Sequence, residues 1–121
     1  MLMYLPSTCN FRMTDIWRSF IAQRIAWTCG WNVLFHESTV VQDRNLHSLI
    51  DDFKDEIPGY LNNFRIAEAL SALQLEPGVQ NIPANLVKCY EAFVSMGLME
   101  PAELKMVLAW IDDVTGAQRN M

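Results

Sequence analysis

The chain has 121 residues, 51% of them hydrophobic and 19% charged, with a formal net charge of −5. That length suits one domain and gives it enough apolar side chains for a core, which excludes a disordered chain. An acidic chain without a Lys/Arg cluster is poorly suited to neutralise nucleic-acid phosphates and poorly matched to an anionic membrane, so both are disfavoured as partners.

In chain order, "MLMYLPST" (Met1 to Thr8) reads as a short apolar strand stopped by Pro6, entered partway through a longer protein. It lacks the basic start and long apolar run of a signal peptide. No later apolar run approaches the ~20 residues that span a bilayer. Thr14 is the expected N-cap of a helix, with Asp15 in the first turn complementing the positive end of the dipole. That helix should run to about Cys29, where Gly30 supplies the C-cap. Ile16, Trp17, Phe20, Ile21, Ile25 and Trp27 cover most of its circumference, the pattern of a helix buried on nearly all sides.

"WNVLFH" (Trp31 to His36) is β-branched and aromatic enough for a strand, and "STVV" (Ser38 to Val41) extends a sheet edge. Gln42 to Asn45 form a polar loop. From Leu46 the periodicity is helical, through Leu49, Ile50, Phe53 and Ile57, and Pro58-Gly59 ends that helix. A second helix follows from Leu61 to Leu73. Beyond a loop around Pro77-Gly78, Asn81 caps a helix ending at Gly97. Pro101 then opens the last helix, which stops near Gly116. The expected fold is therefore α+β and mostly helical: a strand-helix-strand unit over residues 1–45 and four helices over 46–121, in a single domain.

Each candidate for chemistry has a plainer structural reading. Asp15 either complements a helix dipole or stands at the mouth of a sheet as a general base. Arg24 falls within the apolar arc of its helix, where a guanidinium needs a carboxylate, a phosphate or a route to water, and a structural ion pair is the default. Arg18 lies on the opposite flank and can snorkel. Gln42, Asp43, Arg44 and Asn45, with His47, follow a strand, where α/β sheets bind ligands; alone they read as a polar turn and a helix cap. Asp51 with Asp55, and Asp52 with Glu56, stack at i, i+4 without the loop of a calcium site. His36 and His47 have no partner at metal-ligand spacing, and Cys9, Cys29 and Cys89 read as buried apolar thiols. No P-loop, dinucleotide-binding glycine pattern or nucleophile elbow occurs.

Taken together, "LPSTCNFRMTDIWRSFIAQR" and "LFHESTVVQDRNLHSLIDDFKDEIPGYLNN" resemble the STELLO-type glycosyltransferase-like proteins. The resemblance runs from Tyr4 to about Leu73 and more loosely over the last two helices. "RMTDIWRSFIAQR" carries it most specifically, with "QDRN" and "DEIPGYLNN" in support. A more distant likeness, at Asp15, Trp17, Phe20 and Gly30, is to the reversibly glycosylated polypeptides (UDP-arabinopyranose mutases).

What the resemblance implies is the acceptor-side half of a GT-A-type fold that transfers a sugar from a nucleotide-sugar donor to a carbohydrate acceptor. In that frame Asp15 is the base that takes the acceptor hydroxyl's proton. Trp17 stacks on a sugar face, and Arg18 or Arg24 contacts a diphosphate or holds Asp15. Gln42, Asp43, Arg44 and Asn45 belong to the substrate loop, near where many such enzymes carry a metal-binding histidine. The acidic D-x-D-like motif of the donor half does not occur. The resemblance therefore implies a fragment, inactive and without a cofactor alone, whose complete protein uses Mn or Mg. It further implies the Golgi lumen for a eukaryotic member and the cytoplasm for a microbial one.

Two other readings stand beside it. One is a non-catalytic helical interaction domain, docking a partner through the acidic helix Leu46 to Ile57 or the helix pair Leu86 to Val114. The other is a family member that scaffolds other sugar-polymer enzymes.

Overall fold

Asn10 starts the helical part of the chain. Its side-chain oxygen accepts the Arg12 N–H at 2.9 Å and caps a single 3-10 turn, Phe11–Met13, which runs straight into α1, Thr14–Thr28. The cap therefore lies four residues earlier than Thr14, whose hydroxyl instead donates to the Phe11 carbonyl at 2.8 Å. Met13, Trp17, Ile21 and Ile25 recur every four residues and are the buried stripe. Ile16 and Trp27 stay exposed, so α1 is buried along one edge and not all round. Gly30 ends it with φ +72, as expected. The Trp31 N–H bonds the Ala26 carbonyl (3.0 Å) and the Gly30 N–H that of Trp27 (3.2 Å), a closure that needs a left-handed residue.

The computed structural model describes residues 1–43 and 45–119, with side chains through residue 117. Three further helices follow: α2 (Leu49–Ala72), α3 (Ile82–Ser95, after a 3-10 turn at Val79–Asn81) and α4 (Glu103–Arg119). The Ser48 hydroxyl caps α2 through the Asp51 N–H at 3.3 Å. Where the sequence predicts two helices broken at Pro58-Gly59, α2 continues unbroken. A proline inside a helix removes one hydrogen bond and costs about 3 kcal/mol, which packing on the far side offsets. Asn62 donates back to the Pro58 carbonyl (2.8 Å). Gly59 lets the helix press on Met13, where a Cβ would stand 2.8 Å from the sulfur.

α1 and α2 run parallel in a fixed register. Trp17 bonds Asn63, and Arg24 bonds the Leu70 carbonyl, each pair 46 residues apart in sequence. α3 packs against α1, α2 and α4, burying Ile82, Leu86, Cys89, Tyr90 and Phe93. The N-terminal segment lies over this group, with Tyr4 buried against Tyr90 (ring centroids 5.2 Å apart) and the Met1 carbonyl held by the Trp110 indole N–H at 2.9 Å.

Two parallel helices need a return connection, and residues 30–48 provide it. This corrects the α+β expectation: among the described residues there is no strand, so the strand-helix-strand unit does not form. Trp31 to His36, Ser38 to Val41 and the start of the chain have strand-like composition. A strand, however, must pair its backbone groups with another strand, and these segments lie against helix flanks and solvent. The mostly helical part of the expectation holds. Among the described residues no helix is long and apolar enough to cross a membrane.

Candidate functional site

The return connection and the starts of α1 and α2 meet at Asp52. Its carboxylate is paired on one oxygen with the Arg12 guanidinium and on the other with the His47 ring, and its side chain is only 15% exposed. Arg12 arrives on the 3-10 turn before α1, His47 from the end of the connection and Asp52 from the first turn of α2. Three separate pieces of chain are thereby tied at one point. Gln42 and Asn45 complete the wall of an open, polar depression of about 450 Å³ beside Arg12 and His47.

Arg12 also borders a second depression, of about 390 Å³, whose wall includes Asp15, Glu56, Phe11 and Leu5. One guanidinium thus separates an acidic recess from an amide-lined one. Asp15 is exposed there, its carboxylate accepting the Ile16 N–H at 3.0 Å. Of the residues singled out in the sequence, Asp15, Gln42 and Asn45 gather around Arg12. Asp43 is exposed in the connection and lines neither depression, and Arg44 lies outside the described residues.

The other three are elsewhere. Trp17 is 2% exposed, its indole N–H donating to Asn63 Oδ1 at 3.0 Å and its ring 5.7 Å from that of Phe93. Arg24 answers the question of a guanidinium in an apolar arc. Its Nε and Nη2 donate at 2.9 Å to the Leu70 and Leu73 carbonyls, the unsatisfied end of α2. Arg18 borders an apolar groove of about 470 Å³ between α1 and the connection, with Leu2, Met3, Val33 and Phe35.

A second polar cluster lies at the start of α4. Glu103 is fully buried, and both its oxygens accept the Ser7 N–H at 3.2 Å. It also accepts the Tyr4 hydroxyl, the Thr8 N–H (2.8 Å) and the Thr8 hydroxyl (2.6 Å). No cationic side chain pairs with it among the described residues. These donors and the helix N-terminus carry the charge instead. The Thr8 oxygen in turn accepts the Glu100 N–H at 3.1 Å. Burial and the Glu103 carboxylate push the Tyr4 phenol well above its ordinary value and the Cys9 thiol up to about 11. Burial lifts Cys89 to about 12, and burial together with Tyr4, Glu103 and Cys9 raises the Tyr90 phenol well above its ordinary value. None of the three cysteines is in a disulfide. Its bonds to Tyr4, Ser7 and Thr8 make this cluster a clamp on the N-terminal segment.

Sequence reasoning did not single out Arg12, weighed His47 only beside the polar loop, and weighed Asp52 only as half of an acidic i, i+4 pair with Glu56. The signal for Arg12 was its place at the head of "RMTDIWRSFIAQR"; its pairing with Asp52 depends on a fold that brings residues 12 and 52 together. Among the described residues, no three His, Cys, Asp or Glu side chains converge as a metal site.

A family model described as STELLO glycosyltransferases matches residues 12–119. No curated protein and no solved structure matches the chain.

Proposed function

This chain belongs to the STELLO glycosyltransferases, and we propose that within such an enzyme it supplies the acceptor-side surface around Arg12 for transfer from a nucleotide sugar. The observation that carries the reading is the junction itself. One arginine, held by Asp52, stands between a recess bearing Asp15 and a depression lined by Gln42, Asn45 and His47.

The roles follow from the chemistry of transfer. An acceptor hydroxyl attacks the anomeric carbon, the bond from that carbon to the diphosphate breaks, and the nucleoside diphosphate leaves with the electron pair. Asp15, exposed beside the junction, takes the hydroxyl proton as the new bond forms. Arg12 is the cation suited to the charge on the departing diphosphate, its fork geometry matching phosphate oxygens. Asp52 orients Arg12, and the amides of Gln42 and Asn45 match sugar or phosphate hydrogen-bonding groups. A divalent cation, Mn or Mg, has no holder among this chain's described side chains, and no step here runs through one.

The test is calorimetric or NMR titration of the folded chain with UDP and UDP-sugars. Saturable binding that shifts Gln42, Asn45 and His47 resonances and is lost in Arg12→Ala supports the reading. Binding that ignores Arg12→Ala, or no binding with acceptor saccharide present, defeats it. A partner-docking role is favoured by a different feature, the apolar face of α2, and stands independently.

A further inference from the structure

The side of α2 turned away from the core presents Ile50, Phe53, Ile57, Tyr60 and Phe64 to solvent, Phe53 58% and Phe64 75% exposed. The side turned inward carries Gly59, Ile66 and Leu70. The outward residues are spaced three and four apart in alternation, the a/d seam that one helix offers another. The Phe53 and Tyr60 rings already pack on each other at 5.8 Å, so the seam is a formed surface.

We infer that this face pairs with the same face of a second copy, the two α2 helices lying antiparallel with Leu61 beside Leu61 at the two-fold axis. Three features favour this occupant. First, the antiparallel register sets Phe64 of each copy beside Ile57 of the other, with the two Tyr60 rings on either side of the axis, and makes the contact self-complementary, as a two-fold interface requires. Second, it places Lys54 of each copy beside Glu68 of the other. Both residues are exposed and neither forms an ion pair among the described residues, so two cross-pairs form at once. Third, it brings Phe53 of each copy to the Ala69 level of the other, between Ala67 and Ser71. There a groove of about 230 Å³ opens between α1 and α2, walled by Phe20, Trp27, Ala67 and Ser71. Parallel pairing would instead align Asp51, Asp55 and Glu56 with their own copies, a like-charge arrangement. The net charge of −5 opposes an anionic lipid surface in the same place.

The test is sedimentation equilibrium of the full chain across the micromolar range. A concentration-dependent dimer is expected, and Phe53→Asp leaves a monomer with unchanged far-UV circular dichroism. Lys54→Glu weakens the dimer roughly tenfold, because two exposed pairs turn from attraction to repulsion together. Glu68→Lys added to Lys54→Glu restores it. The inference is overturned by a monomer at every concentration, by a dimer indifferent to Phe53→Asp, or by a double reversal that fails to restore. A monomer that instead sediments with phosphatidylserine vesicles, or binds a synthetic Leu-seam peptide flanked by lysines, also overturns it and gives the face to that partner.

Discussion

The two ends of the molecule use similar residues in opposite ways. Around α3 and α4, Tyr90, Phe93 and Met99 are enclosed, and the buried polar groups Asn85 and Glu103 are matched donor to acceptor. Along the connection and the first half of α2, Phe35, Val41, Leu46 and Phe53 stand in solvent. Apolar composition cannot separate these regions. What separates them is whether a second element lies opposite: α3 packs against α1, α2 and α4, whereas the outer face of α2 has no such neighbour among the described residues.

The largest test of that contrast is Glu103→Ala. It strands the Tyr4 hydroxyl and the Ser7 and Thr8 N–H groups inside the clamp, and a loss of about 3–5 kcal/mol is expected in urea unfolding. Glu103→Gln keeps one acceptor and should cost less. Next comes a matched pair of aromatic truncations. Phe93→Ala, at a fully buried site, should cost about 3–5 kcal/mol, while Phe64→Ala should stay within about 0.5 kcal/mol when measured on the monomer. Equal effects would mean that the outer face of α2 is buried in solution. Arg24→Ala is smaller, about 1–3 kcal/mol, since two carbonyls at the end of α2 lose their donor but remain near water. Arg24→Lys should recover only part of it.

The sequence made the helical periodicities readable from residue 61 onward, along with the glycine that closes α1. It misled wherever a local signal competed with packing. Pro58-Gly59 reads as a stop, yet Gly59 is the position at which α2 must approach Met13, and contact with α1 carries the helix through the proline. "WNVLFH" reads as a strand by composition, but among the described residues no second strand is there to pair its backbone, and Leu34 and Phe35 stand in solvent. Around Arg12, the carboxylate and amides of Asp15, Gln42 and Asn45 stood out by residue type and position. The Arg12–Asp52 pair that ties the junction joins residues 40 apart in sequence, which no local pattern encodes. Glu103 is the extreme case: it looks like an ordinary acidic residue in a first turn, and its partners lie at least 95 residues earlier.

The smallest expected effect sharpens the contrast by pH. The Cys9 and Cys89 thiols are held protonated by burial, up to about 11 and about 12, whereas in the unfolded chain they ionise near 9.0. The phenols of Tyr4 and Tyr90 are raised as well, from 10.0. All four groups belong to the clamp and α3. Above about pH 9 the unfolded chain therefore binds fewer protons than the folded one, and stability falls as pH rises. It is fully present below that value and declines until the folded thiols titrate, near pH 12. Urea midpoints taken from neutral pH to about pH 10.5 should drift downward, and Cys89→Ala should flatten the drift after its own truncation cost is subtracted. In the same range Phe64→Ala should shift the monomer's midpoint equally at every pH, because Phe64 touches neither the clamp nor the thiols. A drift that Cys89→Ala leaves unchanged would place the alkaline sensitivity in the tyrosines of the clamp, and Tyr4→Phe would then remove part of it.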